Sequence, residues 1–326
     1  MRTFVREKKT YCGEDYLEVD IFNYTKTEEE NAQKGTRSKK EVESTQKQVD
    51  WNDINSRRRF LQLVHTNFGE GDIHVSLTYN ERNLPPTLED AERELKNYLR
   101  RVAYLRGKKG LPPLKYMAIP TCTYQKDGVT PARIHHHIIM NGGLDRDEIE
   151  DLWRKRRERK HKKGEKIGYA NADRLQPEEN GLAALCEYLA KQAGGKKRWS
   201  SSQGLEQPAQ ETQDQNDVQP EPQPEPTPDP IPAPPPEQAP AVAQTVQKGT
   251  SKITASANLN RPWSRTNNHS FSRKEVEKIA KNAPDPAYWE RRYPGYTLMG
   301  EGYGYKAVYS EARGWALYVK LRRIKR

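Results

Sequence analysis

His135-His136-His137 and, about fifty residues later, Tyr188-Leu189-Ala190-Lys191 are the two stretches whose residue types and spacing could do chemistry together. The histidines run into Ile138-Ile139-Met140, an apolar, β-branched context that reads as a strand. Side chains alternate along a strand, so His135 and His137 share a face and can grip one divalent metal ion, while His136 points the other way and reads as packed. Tyr188 and Lys191 stand three apart and share a face if the segment is helical, which sets a phenolic nucleophile beside a cation. Metal, tyrosine and lysine are the parts needed to cut a phosphodiester through a covalent protein–DNA bond. Each motif alone is a weak signal, because most His-x-His and Tyr-x-x-Lys matches are structural. Their order within one basic chain gives them weight.

The elements that must position these groups can be read from periodicity. Trp51, Ile54, Leu61 and Val64 recur at helical spacing. Ile73 to Tyr79 is a strand. Pro85-Pro86-Thr87 opens a helix with the stripe Leu88, Ala91, Leu95, Leu99, Val102. Tyr116 to Thr123 and Arg133 to Met140 are strands around the turn Gln125-Lys126-Asp127-Gly128. Asp145 and Glu148 suggest a capping box before Ile149, Leu152 and Trp153. Ile167 to Leu175 is a fourth strand, and Pro177-Glu178-Glu179 starts a helix carrying Leu182, Leu185 and Leu189. The order βαββαβ plus a helix predicts an α+β fold of ferredoxin-like or RRM-like type: an antiparallel sheet with helices on one face and the other face free for a site.

The flanking regions differ in character. Residues 1–50 read as peripheral, with one short strand at Leu17, Val19 and Ile21 and a mobile loop over 26–50. The compact domain is 51–202. Residues 203–255 read as a disordered linker, since 203–247 holds 12 of the 23 prolines and eight acidic residues but no Lys or Arg. The formal net charge of +11 therefore becomes +19 outside that stretch. Residues 256–326 read as a small basic segment. Ser272 and Glu275 form a capping box there, and a hairpin turns at Glu311-Ala312-Arg313-Gly314.

The basic balance favours an anionic partner, nucleic acid above all. Arg154 to Lys166 holds nine Lys or Arg residues against Glu158 and Glu165. Arg154, Lys155, Arg156 and Arg157, with Lys196, Lys197 and Arg198 beside Trp199, form a candidate phosphate track that Arg57, Arg58 and Arg59 would extend. The three cysteines, Cys12, Cys122 and Cys186, suggest neither a disulfide framework nor a zinc cluster and fit a reducing compartment. No apolar run is long enough to span a bilayer, the first residues lack a signal-peptide pattern, and no GxxxxGK[ST] phosphate loop is present.

Ile134 to Met140 resembles the HUH motif of the HUH endonucleases, Leu77-Thr78-Tyr79 their first motif, and Tyr188 to Lys191 their catalytic tyrosine motif. The likeness covers about 73–192. Relaxases usually carry the tyrosine before the His pair. Here it follows, which resembles rolling-circle replication initiators of phages and plasmids and single-tyrosine transposases. The resemblance implies Mg²⁺ or Mn²⁺ on His135 and His137, with Tyr188 forming a 5′-phosphotyrosyl bond to single-stranded DNA at a replication origin. It further implies Lys191 as an assisting cation, a host helicase and polymerase as partners, and the cytoplasm of a bacterial host as the location. The sequence departs from the family in one respect. Such sites usually add an acidic third ligand from the neighbouring strand, and Tyr116 to Gln125 contains none. Gln125, Cys122, His74 or water are the substitutes, although His74 reads better as structural and a thiolate suits Mg²⁺ poorly. Two other readings stay open: a single-tyrosine transposase of the same chemistry, and a non-catalytic nucleic-acid-binding module whose metal site has decayed.

Overall fold

A computed structural model of the chain describes residues 3–33, 46–124, 131–155, 164–192, 259–300 and 302–324. These residues form an α+β protein with two antiparallel sheets.

The sheet carrying the histidines uses β3 (Ile73–Thr78), β4 (Tyr116–Tyr124), β5 (Pro131–Met140) and β6 (Ala170–Arg174) in the spatial order β4-β5-β3-β6. Between β3 and β4 runs α3 (Leu88–Lys108), whose N-cap Thr87 accepts a hydrogen bond from the Asp90 N–H. Its stripe of Ala91, Leu95, Leu99 and Val102 is buried, as the spacing predicts. Leu95, Leu99 and Val102 pack on Ile73, Val75, Leu77, Ile138 and Met140. The short α4 (Arg146–Asp151) starts at the Asp145/Glu148 capping box. Just beyond it Trp153 is buried on the same sheet face and donates its indole N–H to the Thr78 carbonyl at 2.7 Å.

The opposite face is not left open. Met117, Ile119 and Ile139 pack against α2 (Gln46–Asn67) through Phe60, Leu61, Leu63 and Val64, and against α5 (Ala183–Gln192) through Ala183, Cys186 and Leu189. The expectation of helices on one face only is therefore corrected: the sheet is sandwiched between two apolar clusters. The helix expected from Pro177 begins at Ala183 instead, because Gly181 takes a left-handed backbone (φ +66°) that interrupts helical winding. A methyl group at Gly181 would lie 2.5 Å from His65 Cε1, so glycine is also required there by space.

The second sheet was not foreseen. Instead of one short strand, residues 3–25 form β1 (Thr3–Cys12) and β2 (Tyr16–Thr25), followed by α1 (Lys26–Gln33) where a loop was expected. Residues 34–45 and the linker at 203–255 lie outside the described residues. The C-terminal segment supplies β7 (Trp263–Asn267), α6 (Arg273–Asn282), α7 (Pro286–Arg292), β8 (Tyr296–Leu298), β9 (Tyr305–Ser310) and β10 (Gly314–Arg323). The sheet order is β7-β1-β2-β10-β8, with β9 on β10, so the N-terminal hairpin β1-β2 is flanked on both sides by strands from the C-terminal segment. The capping box at Ser272 and the β9–β10 hairpin both appear where expected. Leu317, Val319 and Leu321 join Val5, Leu17, Val19, Ile21, Val276, Ile279 and Trp289 in one core. Among the described residues no helix is long and apolar enough to cross a membrane.

Candidate metal and tyrosine site

β5 lies between β4 and β3, and its register decides what faces the histidines. His135 stands opposite Thr121 on β4 and Thr78 on β3, while His137 stands opposite Ile119 and Ser76. The side chains of His135 and His137 share a face, with ring centroids 5.2 Å apart and planes nearly perpendicular at 84°. His136 points to the other face and is fully buried, with Nε2 2.8 Å from the Tyr79 hydroxyl and its ring against Tyr79 and Trp153. The packing role expected from strand parity is what the structure contains, and Tyr79 of the first motif is its partner.

On the face shared by His135 and His137, α5 lays Tyr188 edge-on against His137, ring centroids 5.8 Å apart at 80°. Tyr188 is 49% exposed. Lys191 is exposed one turn along the same helix. The turn is held from behind: Leu189 and Cys186 are buried with Tyr16, Leu259 and Met299, which belong to the segments around the second sheet. Hydrogen bonds from the C-terminal segment add to this support. Asn180 Oδ1 accepts from the Gly300 N–H at 2.8 Å, and the Arg322 guanidinium donates to the Glu178 carbonyl at 2.5 Å.

His137 is only 5% exposed and its Nε2 is buried without a hydrogen-bond partner. Its Nδ1 lies 3.2 Å from both His74 Nε2 and Ser76 Oγ. Burial, with the neighbouring His74 and His135, pushes the His137 imidazole down to about 4. Burial and Arg133 lower His135, and burial lowers His74 against the opposing pull of Asp173. All three rings are thus neutral near pH 7, the state in which imidazole offers a lone pair to a metal. A buried ring nitrogen without a protein partner and a second imidazole on the same face are a donor set of the kind a divalent ion takes. Among the described residues no group of three or more His, Cys, Asp or Glu is placed to complete a cluster by itself. The Cys122 side chain and all of Gln125 fall outside the described residues.

The cationic track divides. Arg154 turns inward: its guanidinium binds the Asp151 carboxylate (Nε–Oδ1 2.9 Å) and the Gly164 carbonyl (3.2 Å). Arg58 is likewise bound to Glu18 and Asp20 at 2.5 and 2.7 Å, and Arg57 pairs with Asp53 at 3.0 Å. Lys155 is exposed. Arg156, Arg157, Lys196, Lys197 and Arg198, together with Trp199, lie outside the described residues. Sequence reasoning missed Ser76 and Asp173 and undervalued His74. Alternation alone puts His74 and Ser76 on one face of β3, but only the register brings that face to His137.

Comparison with protein-family models, curated proteins and solved structures gave no significant match.

Proposed function

We propose that this protein is a site-specific DNA nickase and strand transferase of the HUH type that initiates rolling-circle replication. The observation that carries the reading is the edge-on packing of Tyr188 against His137, at 5.8 Å between ring centroids. It puts the phenol of one motif on the imidazole of the other, across about fifty residues of chain. The sheet order β4-β5-β3-β6 supports a ferredoxin-like palm for the site.

His135 and His137 would hold Mg²⁺ or Mn²⁺, which when bound supplies Lewis-acid polarisation of a scissile phosphate and a template for its orientation. The remaining chemistry belongs to side chains. Tyr188 Oη bonds to phosphorus as the bond from phosphorus to the leaving O3′ breaks, giving a 5′-phosphotyrosyl ester and a 3′-hydroxyl that a polymerase can extend. The phenolic proton leaves to water through the exposed side of the ring, and the departing O3′ takes a proton from water to become the hydroxyl. Lys191, on the same helical face, offers its ammonium to the charge that builds on the phosphoryl oxygens. The ester keeps the energy of the phosphodiester, so attack by a later 3′-hydroxyl rejoins the strand and frees Tyr188. Single-stranded origin DNA is the substrate, and a host helicase and polymerase are the partners.

Incubating the protein with 3′-labelled single-stranded oligonucleotides of randomised sequence and Mn²⁺ tests the reading. A denaturant-resistant adduct should form with the native protein and be absent with Tyr188→Phe or with chelator. No adduct across the whole pool, with binding retained, points to a non-catalytic nucleic-acid-binding module.

A further inference from the structure

The contact between His74 and His137 has no counterpart in the motifs and asks which of the two nitrogens carries the proton. The two rings are nearly parallel at 15°, and His74 Nε2 lies 3.2 Å from His137 Nδ1, at the long end of hydrogen-bonding range. Ser76 Oγ is at the same distance from the same nitrogen. One of the ring nitrogens must be the donor. If His74 donates, His137 Nδ1 is the acceptor and its proton sits on Nε2, where it is buried with no acceptor. A buried group left unanswered costs about 1–3 kcal/mol in either tautomer, but a cation can answer a bare lone pair at Nε2 and cannot answer an N–H there. If His137 donates from Nδ1, both His74 Nε2 and Ser76 Oγ are placed to accept, and Nε2 carries a bare lone pair on the face shared with His135.

We infer that His74 is a positioning residue that accepts the His137 Nδ1–H, fixes that tautomer, and so presents the unprotonated His137 Nε2 to a divalent cation. Ser76 is the second acceptor on the same proton. The arrangement continues one strand outward. Asp173 on β6 stands directly opposite His74 in the β3–β6 pairing, and Arg146 holds its carboxylate at 3.1 Å. A carboxylate on that side favours a proton on His74 Nδ1, which leaves Nε2 free to accept. Metal-binding imidazoles commonly have their second nitrogen held in this way, and loss of the holding group typically lowers metal affinity about 10–100-fold. His74 thus acts through His137 and is not itself counted among the ligands. The inference rests on the metal reading of the site, but the tautomer can be observed without any metal.

The metal-free test is ¹⁵N NMR of the histidine side chains of the full chain. Native protein should show His137 as the Nδ1–H tautomer, His74→Gln should keep it, because the amide oxygen still accepts, and His74→Leu with Ser76→Ala should lose it. Calorimetric titration with Mn²⁺ gives the second readout. We expect about tenfold weaker binding in His74→Leu, about a hundredfold in the double variant, and less than threefold change in His74→Gln. Pulsed EPR of bound Mn²⁺ with ¹⁵N-histidine should count two coordinated imidazoles. An Nε2–H tautomer in the native protein, unchanged Mn²⁺ affinity in the double variant, or a third coordinated imidazole each overturns the inference and leaves the nickase reading standing. Failure of the native protein to bind Mn²⁺ overturns the metal reading itself, and with it the cation to which Nε2 would be presented.

Discussion

The two sheets hold their buried ionisable groups in different ways. In the sheet built from the chain ends, Glu18 is fully buried, yet Arg58 and Gln62 donate to its Oε2 at 2.5 and 2.7 Å and the Tyr16 hydroxyl donates to Oε1 at 2.7 Å. Burial alone would raise that carboxyl. Arg58 and the two hydrogen bonds outweigh it and hold Glu18 below the usual carboxylate range. Glu7, also buried, accepts from Ser270 and Tyr293 at 2.7 Å each. In the histidine sheet, the buried His137 Nε2 and Thr121 Oγ1, on the Tyr188 side, have no partner. Buried charge with every oxygen answered is structural bracing. A buried imidazole nitrogen left without a protein partner, beside an exposed tyrosine, marks a candidate site. The same low dielectric enforces both outcomes.

The difference is broken most sharply by Tyr188→Phe. Removing the hydroxyl should lower adduct formation at least about a thousandfold, about 4 kcal/mol of barrier, while the urea midpoint stays put because the ring is half exposed and keeps its packing. The converse substitution, Arg58→Ala, leaves Glu18 buried and uncompensated. It should cost about 3–5 kcal/mol in chemical denaturation without altering Mn²⁺ affinity in whatever protein remains folded. Equal loss of metal binding and stability would show that the two sheets do not divide the work this way.

Acid sharpens the comparison further. His65, stacked on Tyr16 at the seam of the two regions, is pushed down to about 4 by burial, with Arg322 and Lys320 adding to it. Its folded value lies below the unfolded 6.5, so the unfolded chain binds the proton first. Its contribution is full above about pH 6.5 and is lost as pH falls toward 4, at up to about 1.4 kcal/mol per unit. Equilibrium unfolding of His65→Gln between pH 7 and 4 should fall less steeply than that of the native protein, and identical slopes would remove His65 from the account. The smallest effect is expected for Arg154→Ala. Its guanidinium is committed to Asp151 and Gly164, so single-stranded DNA affinity should change less than threefold, whereas stability should drop by about 1 kcal/mol. A larger loss of affinity that is steepest at low salt would restore Arg154 to the phosphate track.

Particular residues show why some of this was legible in the sequence. Ala91, Leu95, Leu99 and Val102 announce α3, and the capping boxes at Asp145 and Ser272 announce α4 and α6, because helix period and cap chemistry act within a few residues. The opposed faces of His136 and His137 follow from strand alternation alone. The pairing of β2 with β10 does not, since Val19 and Val319 meet across three hundred residues and neither segment signals the other locally. The inward commitments of Arg58 and Arg154 were illegible for a related reason: a charge run looks the same whether its members face water or a buried carboxylate.

By itself, then, the sequence determined which side chains share a face, His135 with His137 on one strand and Tyr188 with Lys191 on one helix, because side-chain direction is a short-range property of backbone geometry. Only the tertiary structure decided that the helix crosses that face, that the chain ends brace it, and that His74 and Ser76 meet Nδ1 of His137. Those are matters of register and packing between distant segments, where burial and long-range pairing select one arrangement from many that the local pattern allows.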